Sequence, residues 1–511
     1  MSEIDFSNDF DRAVAGTYER READWRNGAV VYQILVDRFA PPADLESKRH
    51  LYPTPKTLKT WDEVPSRGVY LEDQKLWSHE IDFWGGDLAG VREKWDYIKS
   101  LDVDVVYLNP IHLSYTNHRY DALDYAVVTP EFGDRDDVKE LAKTLHDHGM
   151  RLVLDGVFNH MGRNSERFKE AMADPKSKFR DWFFIGDEFP GGARSWWLAE
   201  NLPELNLENP KVRKYVYGGK NSIVRSFLRD GVDGWRLDVA VDIGMKWLQE
   251  LTDAAHEEKP GSLVVGEIAN YPKEWFPSVD AVMNFSVREI ILKMMNGAMN
   301  VQHAQRMINR IYGEPGYEHM LKSWLFLDNH DTARLAHALP DGQRRHLAQL
   351  LQFTLPGAPN LYYGTEIGMD GGDDPEMRAP MRWDWVSDHN SHLIWTKRLI
   401  QLRKDHRALR VGDYRPLETD RLFGFERYTD RVEDTVIVLV NPTHETITEP
   451  VMIANSKLMN TFKLLNIIDD SGDFEPIYCG ITTVTIPAGG FKVFAPEIHP
   501  DGGYSAYKRV Q

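Results

Sequence analysis

Four short polar segments, each closing an apolar run, constrain this chain more than any other feature. They are Asp155-Gly156-Val157-Phe158-Asn159-His160, Gly234-Trp235-Arg236-Leu237-Asp238, Gly266-Glu267-Ile268 and Leu327-Asp328-Asn329-His330-Asp331. The runs Arg151-Leu152-Val153-Leu154, Val232 to Trp235, Leu263-Val264-Val265 and Trp324-Leu325-Phe326 lead into them. Apolar runs of this length, ended by a polar residue, read as buried parallel strands and their exits. When such strands form a barrel, their exits share one face, and that face carries the chemistry. Asp238, Glu267 and Asp331 are therefore expected to converge at one mouth.

Strand candidates recur at 29–37, 103–109, 151–158, 234–239, 263–268, 281–285, 324–328 and 360–363, with amphipathic helical stretches between them. That alternation predicts an α/β chain folded as a (β/α)8 TIM barrel. A doubly wound open sheet is the alternative, but no G-x-G-x-x-G or Walker-type loop follows any strand, so nothing points to a nucleotide. From about Gly412 the pattern becomes period-two, as in Val436 to Val440 and Thr482 to Ile486, which predicts an appended antiparallel β-sandwich. The expected organisation is an N-terminal helical extension (1–28), the barrel (29–160 and 211–407), an insertion after strand three (161–210) and the C-terminal β-sandwich (408–511). Long aromatic-rich excursions leave strand one (Ala40 to Trp84) and strand three (Gly162 to Pro210) on the catalytic face, where such segments shape clefts.

Composition narrows the partners. A formal charge of −18, from 61 basic and 79 acidic side chains, disfavours nucleic acid and anionic lipid. No apolar stretch has the roughly 20 residues needed to span a bilayer, and the acidic start, Met1-Ser2-Glu3-Ile4-Asp5-Phe6, is unlike a secretory signal, so a cytoplasmic protein is expected. The single cysteine, Cys479, has no thiol partner; in the strand-like stretch Ile477 to Ile481 it is expected to be a small buried residue.

The segments suit cleavage of a glycosidic bond with retention of configuration. That reaction needs a carboxylate nucleophile on one side of the anomeric carbon and a protonated carboxyl on the other. Asp238 and Glu267 end adjacent strands. Arg236 lies two residues before Asp238, on the same strand face, where its cation favours an ionised Asp238. A neighbouring negative charge, from Asp238 or Asp331, would favour a protonated Glu267. His160 and His330 can donate to sugar hydroxyls, and Asp331 can favour positive charge on the ring.

These segments resemble the conserved regions of the α-amylase family, glycoside hydrolase family 13. The resemblance extends to Val31 through Phe39, Phe83-Trp84-Gly85-Gly86-Asp87-Leu88, Asn117-His118-Arg119-Tyr120-Asp121, Leu202-Pro203-Glu204-Leu205-Asn206 and Tyr362 through Gly368. It implies that Asp238 is the nucleophile, Glu267 the acid/base and Asp331 the transition-state stabiliser. It also implies that Tyr120, Asp121, His160, Arg236 and His330 line the subsite of the sugar whose bond breaks, with Asp155 in support.

Within the family the motifs are most similar to the neopullulanase, cyclomaltodextrinase and maltogenic amylase group, which implies α-1,4 and sometimes α-1,6 hydrolysis of neutral maltooligosaccharides or cyclodextrins. Transfer to a sugar acceptor, or isomerisation of the trehalose synthase type, uses the same carboxylates and stays open, as does oligomeric state. A non-catalytic relative would be expected to lack these carboxylates. No cofactor is expected. Many members hold a calcium ion through the asparagine of the first segment, here Asn159, and a histidine four residues past the nucleophile; that position is Asp242 here and Ala40-Pro41-Pro42-Ala43-Asp44 stands in place of the calcium loop, so no metal residues are assigned.

Overall fold

A computed structural model describes residues 9–197, 199–468 and 471–498. Eight strands form one sheet: β1 (Val31–Ile34), β2 (Val105–Leu108), β3 (Arg151–Gly156), β4 (Gly234–Leu237), β5 (Leu263–Gly266), β6 (Ala281–Val282), β7 (Trp324–Leu325) and β8 (Ala358–Tyr362). Their order is β6-β5-β4-β3-β2-β1-β8-β7, every pairing is parallel, and a parallel bridge between Met283 and Trp324 joins the two ends. The expected (β/α)8 barrel is thereby closed.

Period-two alternation sorts the strand residues. Val31, Val105, Tyr107, Val153, Leu263, Val265, Ala281, Trp324 and Ala358 pack together as the barrel interior. Their neighbours Tyr32, Val106, Leu108, Leu152, Leu154, Trp235, Leu237 and Val264 belong to the larger core that joins the strands to the surrounding helices. Two more residues along the interior face lead from Val153 to Asp155, from Arg236 to Asp238 and from Val265 to Glu267. The alternation that buries the barrel thus also aims these acids at its C-terminal mouth.

The C-terminal region is a β-sandwich. Strands β9 (Asp413–Pro416), β10 (Phe423–Tyr428), β11 (Val436–Val440), β12 (Ile447–Met452), β13 (Lys463–Asn466), β14 (Phe474–Pro476), β15 (Ile481–Ile486) and β16 (Phe491–Pro496) form a six-stranded sheet, β9-β10-β11-β16-β13-β14, and a pair, β12-β15. Leu439, Val451, Leu464, Val484 and Phe494 meet in the core between them. Cys479 departs from expectation. It is exposed, with φ 51°, and with Gly480 at φ 77° it forms the two-residue loop of a tight hairpin whose flanks, Tyr478 and Ile481, exchange both backbone hydrogen bonds at 2.8 and 2.9 Å. Positive φ at both central positions matches the twist of the flanking strands.

Two buried arginines meet the same helix end, Arg403 from the barrel and Arg427 from the sandwich. Arg403 donates to the carbonyls of Phe353 (2.6 Å) and Gly28 (3.0 Å), and Arg427, on β10, donates to those of Thr354 (2.8 Å), Leu409 (3.1 Å) and Gly412 (2.9 Å). Phe353 and Thr354 end the helix Gly342–Thr354, whose last carbonyls have no partner within the helix and carry its negative dipole end. Arg427→Leu takes this donor from the Thr354 and Leu409 carbonyls, while Gly412 keeps Tyr317 Oη at 2.8 Å, and should lower stability by about 3 kcal/mol. The decrease would appear as an earlier midpoint in urea unfolding, and an unchanged midpoint would refute the role given to the side chain.

The N-terminal helix Asp9–Ala23 is tied to the same seam, since Arg21 pairs with Asp413 at 2.9 Å and Glu318 at 2.7 Å. Among the described residues no helix is long and apolar enough to cross a membrane.

Candidate active site

Arg236 organises the mouth of the barrel. It is fully buried; its Nη1 lies 2.9 Å from Asp155 Oδ1 and 3.0 Å from Asp238 Oδ1, and its Nη2 lies 3.0 Å from Glu267 Oε2. One guanidinium therefore faces both acids that the sequence pairs, with Asp155 as a third counter-charge. Asp155 also accepts from Tyr107 Oη (2.5 Å) and Tyr120 Oη (2.8 Å), so its carboxylate is committed to positioning.

The backbone after β4 is strained. Val239 has φ 46° and ψ 44°, a left-handed conformation that costs a β-branched residue on the order of 1–3 kcal/mol. In that conformation the Val239 N–H donates to Glu267 Oε2 at 2.9 Å. The turn that presents Asp238 thus also holds Glu267.

Asp331 approaches from the β7 exit. Its Oδ2 lies 2.9 Å from His330 Nε2 and its Oδ1 3.1 Å from Arg378 Nη2. Gln33 Nε2 lies 2.9 Å from His330 Nδ1 and fixes the ring. The rings of Tyr120 and His330 lie parallel, 5.2 Å between centroids and 5° between planes.

These surroundings separate the two aspartates electrostatically. Burial pushes the Asp238 carboxyl well above the usual aspartate value, reinforced by Glu267, Asp155 and Asp331 and opposed by Arg236. Enclosure also works against ionisation of Asp331, but His330 and Arg378 hold it far below the usual carboxylate range. Burial lowers His160 to about 4, so this ring is neutral near pH 7, with Nε2 3.1 Å from the Tyr120 carbonyl and 3.9 Å from Asp238 Oδ2.

Asp238, Glu267, Asp331, Tyr120 and His160 line a cleft of about 520 Å3. Arg236 and His330 lie behind that lining as supports. Asp121 does not line the cleft. Its carboxylate accepts from the amides of Tyr115 and Thr116 at 3.2 Å and from the Thr116 hydroxyl at 2.5 Å, which fixes the turn carrying Tyr120.

Asn159 and Asp242 are the two positions that bear on calcium. The Asn159 side-chain amide faces the His160 ring at 3.4 Å, and Asp242 is exposed on the short helix after β4. Among the described residues no three His, Cys, Asp or Glu side chains are grouped to hold a metal ion.

Residues 33–389 match the alpha amylase catalytic domain. The chain belongs to the alpha-amylase family. A cyclomaltodextrinase from a Bacillus species is 33% identical to it over 433 residues, covering 82% of this chain and 73% of that protein. Neopullulanase 2 of Thermoactinomyces vulgaris is 30% identical over 434 residues, covering 82% and 69%. The ligand-free structure of the cyclic alpha-maltosyl-(1→6)-maltose hydrolase of Arthrobacter globiformis superposes with a TM-score of 0.77 at 27% identity, covering 93% of this chain and 100% of that one. The chain is thus a glycoside hydrolase of the alpha-amylase family.

In this family member the two long excursions share in the cleft. Tyr70, Lys75 and Trp77 come from the first, and Trp196, Asn201 and Leu202 from the second. Their other aromatics serve packing. Tyr52 meets Phe83, Trp61 Nε1 donates to the Met381 carbonyl at 3.1 Å, and Trp182 packs on Tyr215. Trp197 stays 83% exposed and outside the cleft. Sequence reasoning did not single out Glu80, Asp374 or Arg378, which also line it. The Asp-x3-Arg spacing of Asp374 and Arg378, soon after β8, was the available signal; the two side chains pair at 3.1 Å.

Proposed function

We propose that this chain is a retaining α-glycosidase that cleaves α-1,4 glucosidic bonds, and in some substrates α-1,6 bonds, in maltooligosaccharides or cyclodextrins. Asp238 attacks the anomeric carbon while Glu267 gives its proton to the departing glycosidic oxygen, which leaves a glycosyl ester on Asp238. Glu267 then takes a proton from water, which attacks the same carbon and frees Asp238. Asp331, held ionised by His330 and Arg378, favours the cationic ring between these steps. Tyr120 and His160 provide the surface on which that sugar lies.

The pairing of both Asp238 and Glu267 with one buried guanidinium carries this reading. It sets two carboxyl groups beside one cation at the same mouth, which supports a pair that acts on one bond. The names of the relatives support the substrate class.

The test is a product time course with the anomeric configuration read by NMR, on maltotetraose, a cyclodextrin, panose and trehalose separately. First-formed products in the α configuration are expected from maltotetraose or the cyclodextrin. Early β-configured products would contradict retention. Longer or isomeric products with little glucose would reassign the activity to a transferase or isomerase using the same carboxylates.

A further inference from the structure

Glu80 lines the cleft but takes no part in the reaction above. It stands on the single turn Ser78–Ile81 of the first excursion, and its two oxygens face two different segments. Oε2 accepts from the backbone N–H of Trp77, whose side chain also lines the cleft. Oε1 lies 3.0 Å from His118 Nε2. The far side of that ring fixes the roles in this second contact. The Tyr120 N–H, which can only donate, gives its hydrogen to His118 Nδ1 at 3.1 Å, so the ring carries its proton on Nε2 and donates it to Glu80. Enclosure opposes ionisation of Glu80, but the bonds from His118 and the Trp77 amide outweigh it and hold the carboxyl below the usual glutamate value. Both oxygens are therefore acceptors.

His118 in turn reaches the surface given to the sugar. Its ring stacks on that of Tyr120, with 5.8 Å between centroids and 26° between planes, and Tyr120 stacks on His330 on its other side. The main chain joins the same two segments independently of position 80. The Asn117 N–H donates to the Glu80 carbonyl at 2.7 Å, and the Asn117 side-chain amide donates to the carbonyls of His79 (2.7 Å) and Asp82 (2.8 Å). What the Glu80 side chain adds is a connection from Trp77 to the ring of Tyr120.

We propose that Glu80 is a positioning residue, whose two carboxylate oxygens set the Trp77 turn and, through His118, the ring of Tyr120 against the reacting sugar. The inference rests on the glycosidase reading above and adds a residue to it. Glutamine is the discriminating replacement. It has the shape of glutamate, but only one of its two polar ends accepts, so its amide nitrogen would confront a donor at either Trp77 or His118.

α-Glucosyl fluoride occupies only the place of the sugar whose bond breaks, so it reads the Tyr120 surface apart from the rest of the cleft. Glu80→Gln should lower kcat/KM by at least about tenfold on both the fluoride and maltotetraose, the scale of a small misplacement at the reacting centre. His118→Phe keeps a ring on Tyr120 and removes both nitrogens, and should lose a similar factor on both substrates even if Glu80→Gln folds poorly. In the His118→Phe background, Glu80→Gln should cost less than about threefold, because its route to Tyr120 is already cut. An equal cost of Glu80→Gln in both backgrounds would mean that Glu80 touches sugar directly and would overturn the proposal. Full activity of either single variant, or a loss confined to maltotetraose, would overturn it too. A wild type that cleaves neither substrate would instead overturn the glycosidase reading beneath it.

Discussion

Asp238→Asn should lower kcat/KM on maltooligosaccharides by at least about a thousandfold, which corresponds to about 4 kcal/mol of lost transition-state stabilisation. The amide keeps the shape of the side chain and cannot form the glycosyl ester. Stability should change little. The substitution removes a negative charge whose burial is unfavourable, and Arg236 retains Asp155 and Glu267 as counter-charges. The same electrostatics set the acid limb of the wild-type pH profile. Attack needs ionised Asp238, whose pKa is raised by burial, so kcat/KM should fall with decreasing pH in a range above the ordinary aspartate value of 3.8. Residual turnover above a thousandth of wild type would remove Asp238 from the nucleophile role, and an acid limb below 3.8 would contradict the electrostatic account.

Glu267→Gln should separate substrates by leaving group. Loss of proton donation is expected to cost about 10²–10⁴ in kcat/KM on maltooligosaccharides, whose sugar leaving group must be protonated. On α-glucosyl fluoride, where fluoride departs without a proton, ester formation should be nearly unaffected and its breakdown should become limiting. Added azide needs no general base, so it should accelerate turnover of the variant and give a glucosyl azide of α configuration. A loss of equal size on both substrates, with no response to azide, would assign the proton to another group. The Val239 amide gives a structural reason to expect such clean behaviour, since it can donate to the amide oxygen of glutamine as it does to Glu267 Oε2.

The parts of this molecule that sequence reasoning reached are those in which the local pattern and the tertiary environment agree. Val153, Arg236 and Val265 stand two residues before Asp155, Asp238 and Glu267, so strand periodicity alone directs the three acids to one mouth. The strand ends were overestimated. β6 and β7 are only two residues long, and beyond β6 the pairing continues only as the single bridge of Met283 to Trp324. Asp121 carries the right chemistry for sugar binding, and only the folded loop shows that its carboxylate accepts from Tyr115 and Thr116. Cys479 misled because its stretch alternates like a strand, while the Cys-Gly pair lacks the asparagine or aspartate that marks tight hairpins. Glu80, Asp374 and Arg378 lie in irregular loops, whose place at the cleft depends on contacts between segments up to about 300 positions apart, such as His79 with Asp374. No window of sequence contains that information.

The arginine seam between barrel and sandwich has a consequence for how the chain is made. The helix Gly342–Thr354 leaves the ribosome with its last carbonyls bare, and the side chain that satisfies Thr354 belongs to Arg427. At ordinary elongation rates of about 5–20 residues per second, that gap lasts roughly 4–15 s. Arg21, made far earlier, waits longer still for Asp413. A nascent barrel can therefore collapse on the ribosome but cannot finish, and a message truncated between codons 354 and 427 would yield a product with an exposed, unsatisfied face that quality control can recognise.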